Sequence, residues 1–244
     1  MFFGTFLLSH ARIALPIPRG EFMSVAGSNS MTVLIAGVGG QGIVLVGGVL
    51  AQAAMLSGFD VLQSEMHGLS QRFGSVSCQI RIGTGLYSTH RGHGSVDLLL
   101  ALECYEAFKQ LPFLRSDGTA LVNRLWRKPT VKPHTTEYLM NINDPRMEWF
   151  DGTELTLRAG CPRSVNFFML GVLSTWLEIS EPYWHEAIET SSSKGGREAN
   201  REMFATGRQT AAQSVECEVR RQSFGKHRLA RSMTNEIKSS AIGN

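Results

Sequence analysis

Residues 32–42 read TVLIAGVGGQG, and residues 43–56 continue as IVLVGGVLAQAAML. The first six positions form an apolar, β-branched run without alternation, the pattern of a strand buried on both faces of a sheet. The run breaks into a glycine turn, and about four turns of apolar and small residues follow, which predicts a helix. Strand, glycine turn and helix in that order open an α/β unit. Gly47 and Gly48 inside the helix each cost about 1 kcal/mol relative to alanine, so the helix is expected to approach the sheet closely there.

Outward from this unit, strands and helices keep alternating. The helix stops at Ser57 and Gly58, and Val61–Glu65 is a second strand. VSCQIRIG at 76–83 alternates as a half-exposed strand, and VDLLLALE at 96–103 reads as a buried one. EAFKQLPFL at 106–114 predicts a helix that closes before a turn at Ser116, Asp117 and Gly118, with TALVN at 119–123 as a further strand. From Thr153 the pattern is helical. ELTLRAG stops at a glycine, SVNFFMLGVLSTWL (164–177) is apolar on nearly every side and so deeply packed, and EPYWHEAIE opens with Pro182 near an N-terminus. Residues 124–146, with three prolines, carry no readable period. The expected architecture is an α/β, Rossmann-like layered sheet, mostly parallel, with a helical C-terminal part.

A chain of 244 residues accommodates one domain of about 180 residues with appendages, or two small domains at most. Residues 1–30 are expected to be a disordered extension or an over-long start, since Met23 and Met31 both precede the first convincing strand and no basic segment leads the short apolar runs. The domain proper is expected over 31–207, and 208–244 as a flexible basic tail. Lys194 to Lys238 holds ten Lys/Arg and five Asp/Glu, a local balance of +5 against −2 for the rest. The tail is nearly devoid of aromatic residues, so a nucleic-acid surface is not expected. No apolar stretch reaches the ~20 residues of a membrane span. Cys78, Cys104, Cys161 and Cys217 are scattered without CxxC spacing. This chain is therefore expected to hold no metal, neither zinc nor an iron–sulfur cluster, and the thiols fit a reducing cytoplasm.

Two motifs carry chemistry. Gly37, Gly39 and Gly42 satisfy GxGxxG between strand and helix, where exposed N–H groups and the positive helix end can face a phosphate. Glu65 follows Gly42 by 23 residues, near the ~20 at which a dinucleotide fold places its ribose acid. An NAD-dependent dehydrogenase thus stays open, and so does a glycine turn that only permits tight packing. The second motif is EMHGLSQRFGSV, residues 65–76, which crowds Glu65, His67, Gly68, Ser70, Gln71, Arg72 and Ser75 between two strands. An acid, an imidazole, an amide and a guanidinium together suggest a site, whereas a solvated loop needs only some polar residues.

Together, AGVGGQG (36–42) and EMHGLSQRFGSV resemble the gamma-type domain of the 2-oxoacid:ferredoxin oxidoreductase family, in its indolepyruvate and arylpyruvate branch. The pyruvate branch carries an acid and paired arginines where this chain has HGLSQR. The resemblance continues through DLLLALE (97–103), Val122 and Asn123, VNFFMLG (165–171) and NREMFATG (200–207), covering roughly residues 31–207. Phe73 stands where the family usually has glycine, and 124–146 is shorter than usual.

The resemblance implies an accessory subunit active only with a large subunit, in a cytoplasmic hetero-oligomer. That partner holds thiamine diphosphate and the 4Fe-4S clusters, an aryl 2-oxoacid is decarboxylated, coenzyme A collects the acyl group, and ferredoxin takes the electrons. Gly37, Gly39, Gly40, Gln41, Gly42 and Arg72 are then expected at the coenzyme A phosphates. Glu65, His67, Gly68, Ser70, Gln71, Ser75 and Asn166 are expected to shape a loop at the subunit or substrate boundary. A noncatalytic interaction paralogue is the remaining alternative.

Overall fold

The computed structural model describes residues 30–67, 74–86, 92–126 and 142–214. Strand β1 (Ser30–Val38) runs through the centre of the sheet, and the helix after the glycine turn, α1 (Ile43–Leu56), spans the predicted residues. Then come β2 (Asp60–His67), β3 (Ser75–Gly83), β4 (Val96–Ala101), α2 (Cys104–Gln110), a single 3-10 turn at Leu111–Phe113, β5 (Leu114–Asn123) and β6 (Met147–Phe150). Four helices close the described chain: α3 (Gly152–Arg158), α4 (Val165–Ser174), α5 (Glu181–Ser191) and α6 (Arg197–Gln213).

The six strands order as β2-β3-β1-β4-β5-β6. β1, β4, β5 and β6 pair in parallel, while β3 runs against both of its neighbours. Five strands therefore share one direction, in a mixed and mostly parallel sheet. The expectation of a half-exposed strand at 76–83 is corrected here. β3 lies between β1 and β2, and its polar residues Ser77 and Gln79 are buried together with Cys78 and Ile80.

Two apolar layers flank the sheet. Val33, Ile35, Cys78, Ile80, Leu98, Leu100 and Leu121 face α1, α4, α5 and α6. On the opposite face, Leu34, Ala36, Leu99, Ala101, Ala120 and Val122 pack under α2. Leu98, Leu99 and Leu100 are all at 0 % exposure, so the run shows no alternation, and each such side chain stabilises by about 2 kcal/mol. Gly47 makes the close approach expected of it, since a Cβ there would lie 2.6 Å from the Cys78 sulfur, whereas Gly48 faces open space.

Three further differences have local causes. The turn expected at Ser116–Gly118 is an irregularity inside β5, where the register against β4 jumps between Val96 and Leu98. The helix expected at 106–114 starts earlier and ends at Gln110, and Pro112 falls in the 3-10 turn that follows. The domain expected to close at residue 207 extends further, because α6 continues to Gln213 with Ala211 fully buried. β6 had no counterpart among the predicted elements. No helix among the described residues is long and apolar enough to cross a membrane.

α4 is buried along nearly its whole length and crosses α6 at two glycines. A Cβ on Gly171 would land on the Phe204 carbonyl, and one on Gly207 would land on the Phe168 carbonyl. The helices thus touch backbone to backbone. Gly207→Ala should lower stability by about 3 kcal/mol or more, a drop in Tm of roughly 6–12 °C. Gly195→Ala, at a position with nothing within 4 Å of the added carbon, should shift Tm little. Thermal denaturation of the two variants beside the parent chain checks the contrast.

Candidate functional site

β1 ends at Val38, and the chain turns through Gly39–Gly42 at the carboxyl edge of the sheet, where open α/β folds place their ligands. Gln41 folds back so that its Oε1 accepts the Val38 N–H at 2.6 Å, while its own N–H donates to the Val38 carbonyl at 3.1 Å. A Cβ on residue 37 would lie 2.5 Å from that Oε1, so Gly37 is what admits the returning side chain. Gly42 has φ 76°, where a Cβ costs roughly 1–2 kcal/mol, and a Cβ there would also fall on the Asn166 amide. Asn166, buried in the first turn of α4, accepts the Phe167 N–H on its Oδ1 at 3.0 Å.

The first bond of α1 runs from the Val46 N–H to the Gly42 carbonyl at 3.1 Å. The N–H groups of Gly42 to Leu45 therefore point out of the helix end, where the dipole favours an anion. With no side chain at Gly40, this donor set suits a phosphate. Gly39 departs from the expected role. Its N–H donates to the Gly74 carbonyl at 2.9 Å, so it anchors the turn and is not a donor to a ligand.

Within the second motif, Gly74 immediately precedes β3 and Ser75 opens it. The Ser75 Oγ donates to Glu106 Oε2 at 2.5 Å, and Lys109 Nζ holds the other oxygen at 2.6 Å. Glu103 caps α2, accepting the Glu106 N–H at 2.7 Å and the Tyr105 N–H at 3.3 Å. Burial pushes the Glu103 carboxyl above the usual carboxylate range, and the neighbouring Glu106 adds to this, against the N–H bonds of the cap. Asn123, at 0 % exposure, donates to the Leu102 carbonyl at 3.0 Å and to Thr153 Oγ1 at 2.8 Å. It also accepts the Thr153 N–H at 3.1 Å, so it ties the ends of β4 and β5 to α3.

The predicted residues separate into two groups. Gly37, Gly39, Gly40, Gln41, Gly42, Ser75 and Asn166 come together around the turn. Glu65 stands on edge strand β2, exposed and hydrogen-bonded to Gln63 at 3.2 Å, with β3 between it and β1. Two strand spacings put it roughly 10 Å from β1 across the sheet. The dinucleotide reading needs that acid beside the first turn, and the reversed strand removes it. His67 ends β2 opposite Val76; its side chain, and Gly68, Ser70, Gln71, Arg72 and Phe73, lie outside the described residues.

Glu103, Glu106 and Asn123 were assigned no role from the sequence. The available signal was chemical: two acids within six residues of a continuous apolar run, LLLALECYE, and an amide ending the strand LVN. Cys78 and Cys104 are buried, which pushes both thiols up to about 12. Among the described residues, no three His, Cys, Asp or Glu side chains are placed to hold a metal ion.

Comparison with known proteins matches residues 32–210 to the pyruvate ferredoxin/flavodoxin oxidoreductase family. The chain is 34 % identical over 148 residues to indolepyruvate oxidoreductase subunit IorB of Methanothermobacter thermautotrophicus, covering 57 % of this chain and 75 % of that protein. It is 29 % identical over 195 residues to the IorB subunit of Thermococcus kodakarensis, covering 75 % and 96 %. Among solved structures it resembles the keto/oxoacid ferredoxin oxidoreductase gamma subunit of Geobacter sulfurreducens PCA, with TM-score 0.59, 22 % identity, and 75 % and 99 % coverage. It also resembles the 2-oxoglutarate:ferredoxin oxidoreductase of Magnetococcus marinus, solved with 2-oxoglutarate, coenzyme A and succinyl-CoA bound. There the TM-score is 0.63 at 18 % identity, over 77 % of this chain and 32 % of that one. These structural likenesses establish the shared fold.

The contact between Gly42 and Asn166 can be measured as a coupling. Gly42→Ala should cost about 2–4 kcal/mol, combining the left-handed backbone with the displaced amide. In an Asn166→Ala background the same change should cost about 1–2 kcal/mol, because the steric part is relieved. A double-mutant cycle by chemical denaturation that came out additive would show that the two residues do not meet.

Proposed function

The chain belongs to the pyruvate ferredoxin/flavodoxin oxidoreductase family, and on that premise we propose that it is the small subunit of an arylpyruvate:ferredoxin oxidoreductase. In this reading it works in the cytoplasm within a hetero-oligomer, beside a large subunit, on an aryl 2-oxoacid, with coenzyme A as acyl acceptor and ferredoxin as electron acceptor. The domain proper, expected over 31–207, runs from Ser30 in β1 through α6 to Gln213. Thiamine diphosphate and 4Fe-4S clusters, when bound by the large subunit, supply decarboxylation and one-electron transfer.

The observation that carries this reading is the hydrogen bond from Gly39 to the Gly74 carbonyl at 2.9 Å. It joins the glycine turn to the motif at 65–76, the two segments distant in sequence on which the resemblance to the arylpyruvate branch rests. The chain's own work is to hold an anion. The N–H groups of Gly42 to Leu45 orient a phosphate of coenzyme A at the end of α1, and Gly40 keeps the approach clear. Arg72, two positions before Gly74 in the sequence, adds a fixed positive charge for the phosphate or for the acyl-intermediate pocket. Glu65, His67, Gly68, Ser70 and Gln71 shape the boundary with the large subunit, and Asn166 supports the turn from below.

The first test is anaerobic co-purification of the tagged chain, followed by an assay for arylpyruvate- and coenzyme A-dependent reduction of a viologen dye. A stoichiometric large subunit with turnover is expected; a chain that purifies alone and binds NAD would sink the reading. Charge then tests the turn. Gly40→Asp should raise the KM for coenzyme A by more than about tenfold through repulsion of the phosphate, and Gly40→Asn, equally strained, by much less. Arg72→Ala should raise the same constant, and an unchanged value would remove Arg72 from that role.

A further inference from the structure

The buried acid Glu106 does more than α2 requires of it. The cap of that helix is Glu103, and the two oxygens of Glu106 are otherwise engaged. One takes the Lys109 ammonium at 2.6 Å, and the other takes the hydroxyl of Ser75, 31 residues away in the chain, at 2.5 Å. At 2 % exposure this carboxylate carries a desolvation cost that a neutral acceptor would avoid. A second, separate bond leaves the same stem. The carbonyl of Gly74, in the peptide unit that joins Gly74 to Ser75, accepts the N–H of Gly39 at 2.9 Å.

We propose that Glu106 is a positioning residue for the glycine turn: it fixes the Ser75 hydroxyl, hence the Gly74–Ser75 peptide, and hence the Gly39 N–H that anchors the turn. The chain of contacts runs from Lys109 through Glu106, Ser75 and Gly74 to Gly39, and no member of it needs to touch a ligand. Its effect is on where the outward N–H groups of Gly42 to Leu45 stand when coenzyme A arrives. A charge-assisted bond at one end of such a chain holds its geometry better than a neutral one. The proposal rests on the reading that the turn receives coenzyme A.

The experiment uses the reconstituted complex with its large subunit and compares Ser75→Ala, Ser75→Thr, Glu106→Gln and, as control for the underlying reading, Gly40→Asp. KM for coenzyme A, KM for the aryl 2-oxoacid and kcat are measured, with thermal melts to confirm folding. Ser75→Ala and Glu106→Gln should each raise the coenzyme A constant roughly tenfold and leave the oxoacid constant unchanged. Ser75→Thr, which keeps the hydroxyl, should return it to within about twofold of the parent. A merely structural role would lower kcat and complex yield together without splitting the two constants. If Gly40→Asp raises the coenzyme A constant and neither Ser75→Ala nor Glu106→Gln does, the positioning role is overturned and the reading of the turn stands. If none of the variants moves it, Gly40→Asp included, the reading falls and takes the proposal with it. Should Glu106→Gln fail to fold, the Ser75 pair decides alone.

Discussion

The antiparallel ladder between β1 and β3 is the constraint on which the rest depends. Its nine pairs run from Ser30 opposite Gly83 to Val38 opposite Ser75, without a shift of register. Because the ladder ends at Val38 and Ser75, the glycine turn and the stem of the second motif emerge side by side at one edge of the sheet. The Gly39–Gly74 bond continues the same pairing one step further. A register slip of one residue would put Cys78 and Ile80 on the wrong face, so burial under α1 holds the two motifs in place. The proximity of two chemical motifs is thereby fixed by apolar packing remote from either.

The helical layer supplies a second fixed point. α4 can reach the turn with Asn166 only because Gly171 and Gly207 let α4 and α6 approach backbone to backbone. Any side chain at that crossing would push the helices apart, and displacement at the amino end of α4 would carry Asn166 away from Gly42. The turn is therefore bounded on three sides by groups with no other freedom: the returning Gln41 amide, the Asn166 amide and the Gly74 carbonyl. Preorganisation of this kind lowers the cost of ordering donors when an anion binds.

Much of this was legible in the sequence where neighbours in the chain are neighbours in space. β1, the turn and α1 follow from one unbroken stretch, and the apolar face of α4 follows from its composition. The reversal of β3 was not legible, because alternation in VSCQIRIG reports a strand and not its direction. Nor does it tell that Ser77 and Gln79 would be buried as deeply as Cys78 and Ile80. The same reversal moved Glu65 out of the role that its spacing suggested. Gln41 was read as facing a phosphate, yet its oxygen turns inward to the Val38 N–H, a fact that Gly37 foreshadows only once the fold is known. Glu106 went unassigned because its partner Ser75 lies across a loop, and no periodicity links the end of one strand to a helix on the far side of the sheet.

The buried acids under the turn separate two electrostatic tasks. At the mouth, uncharged N–H groups and a helix end present partial positive charge that costs nothing to desolvate further when an anion arrives. Behind it, Glu106 carries a full negative charge that would oppose that anion if it were unscreened. Lys109 and the Ser75 hydroxyl occupy both of its oxygens, so its field is spent locally, and the charge acts on the turn through geometry. A glutamine there would remove the repulsion and also the grip. Since a glutamine would end both effects, a net benefit from the charge requires that the position of the Gly74–Ser75 peptide matter more to the turn than the field the acid exerts.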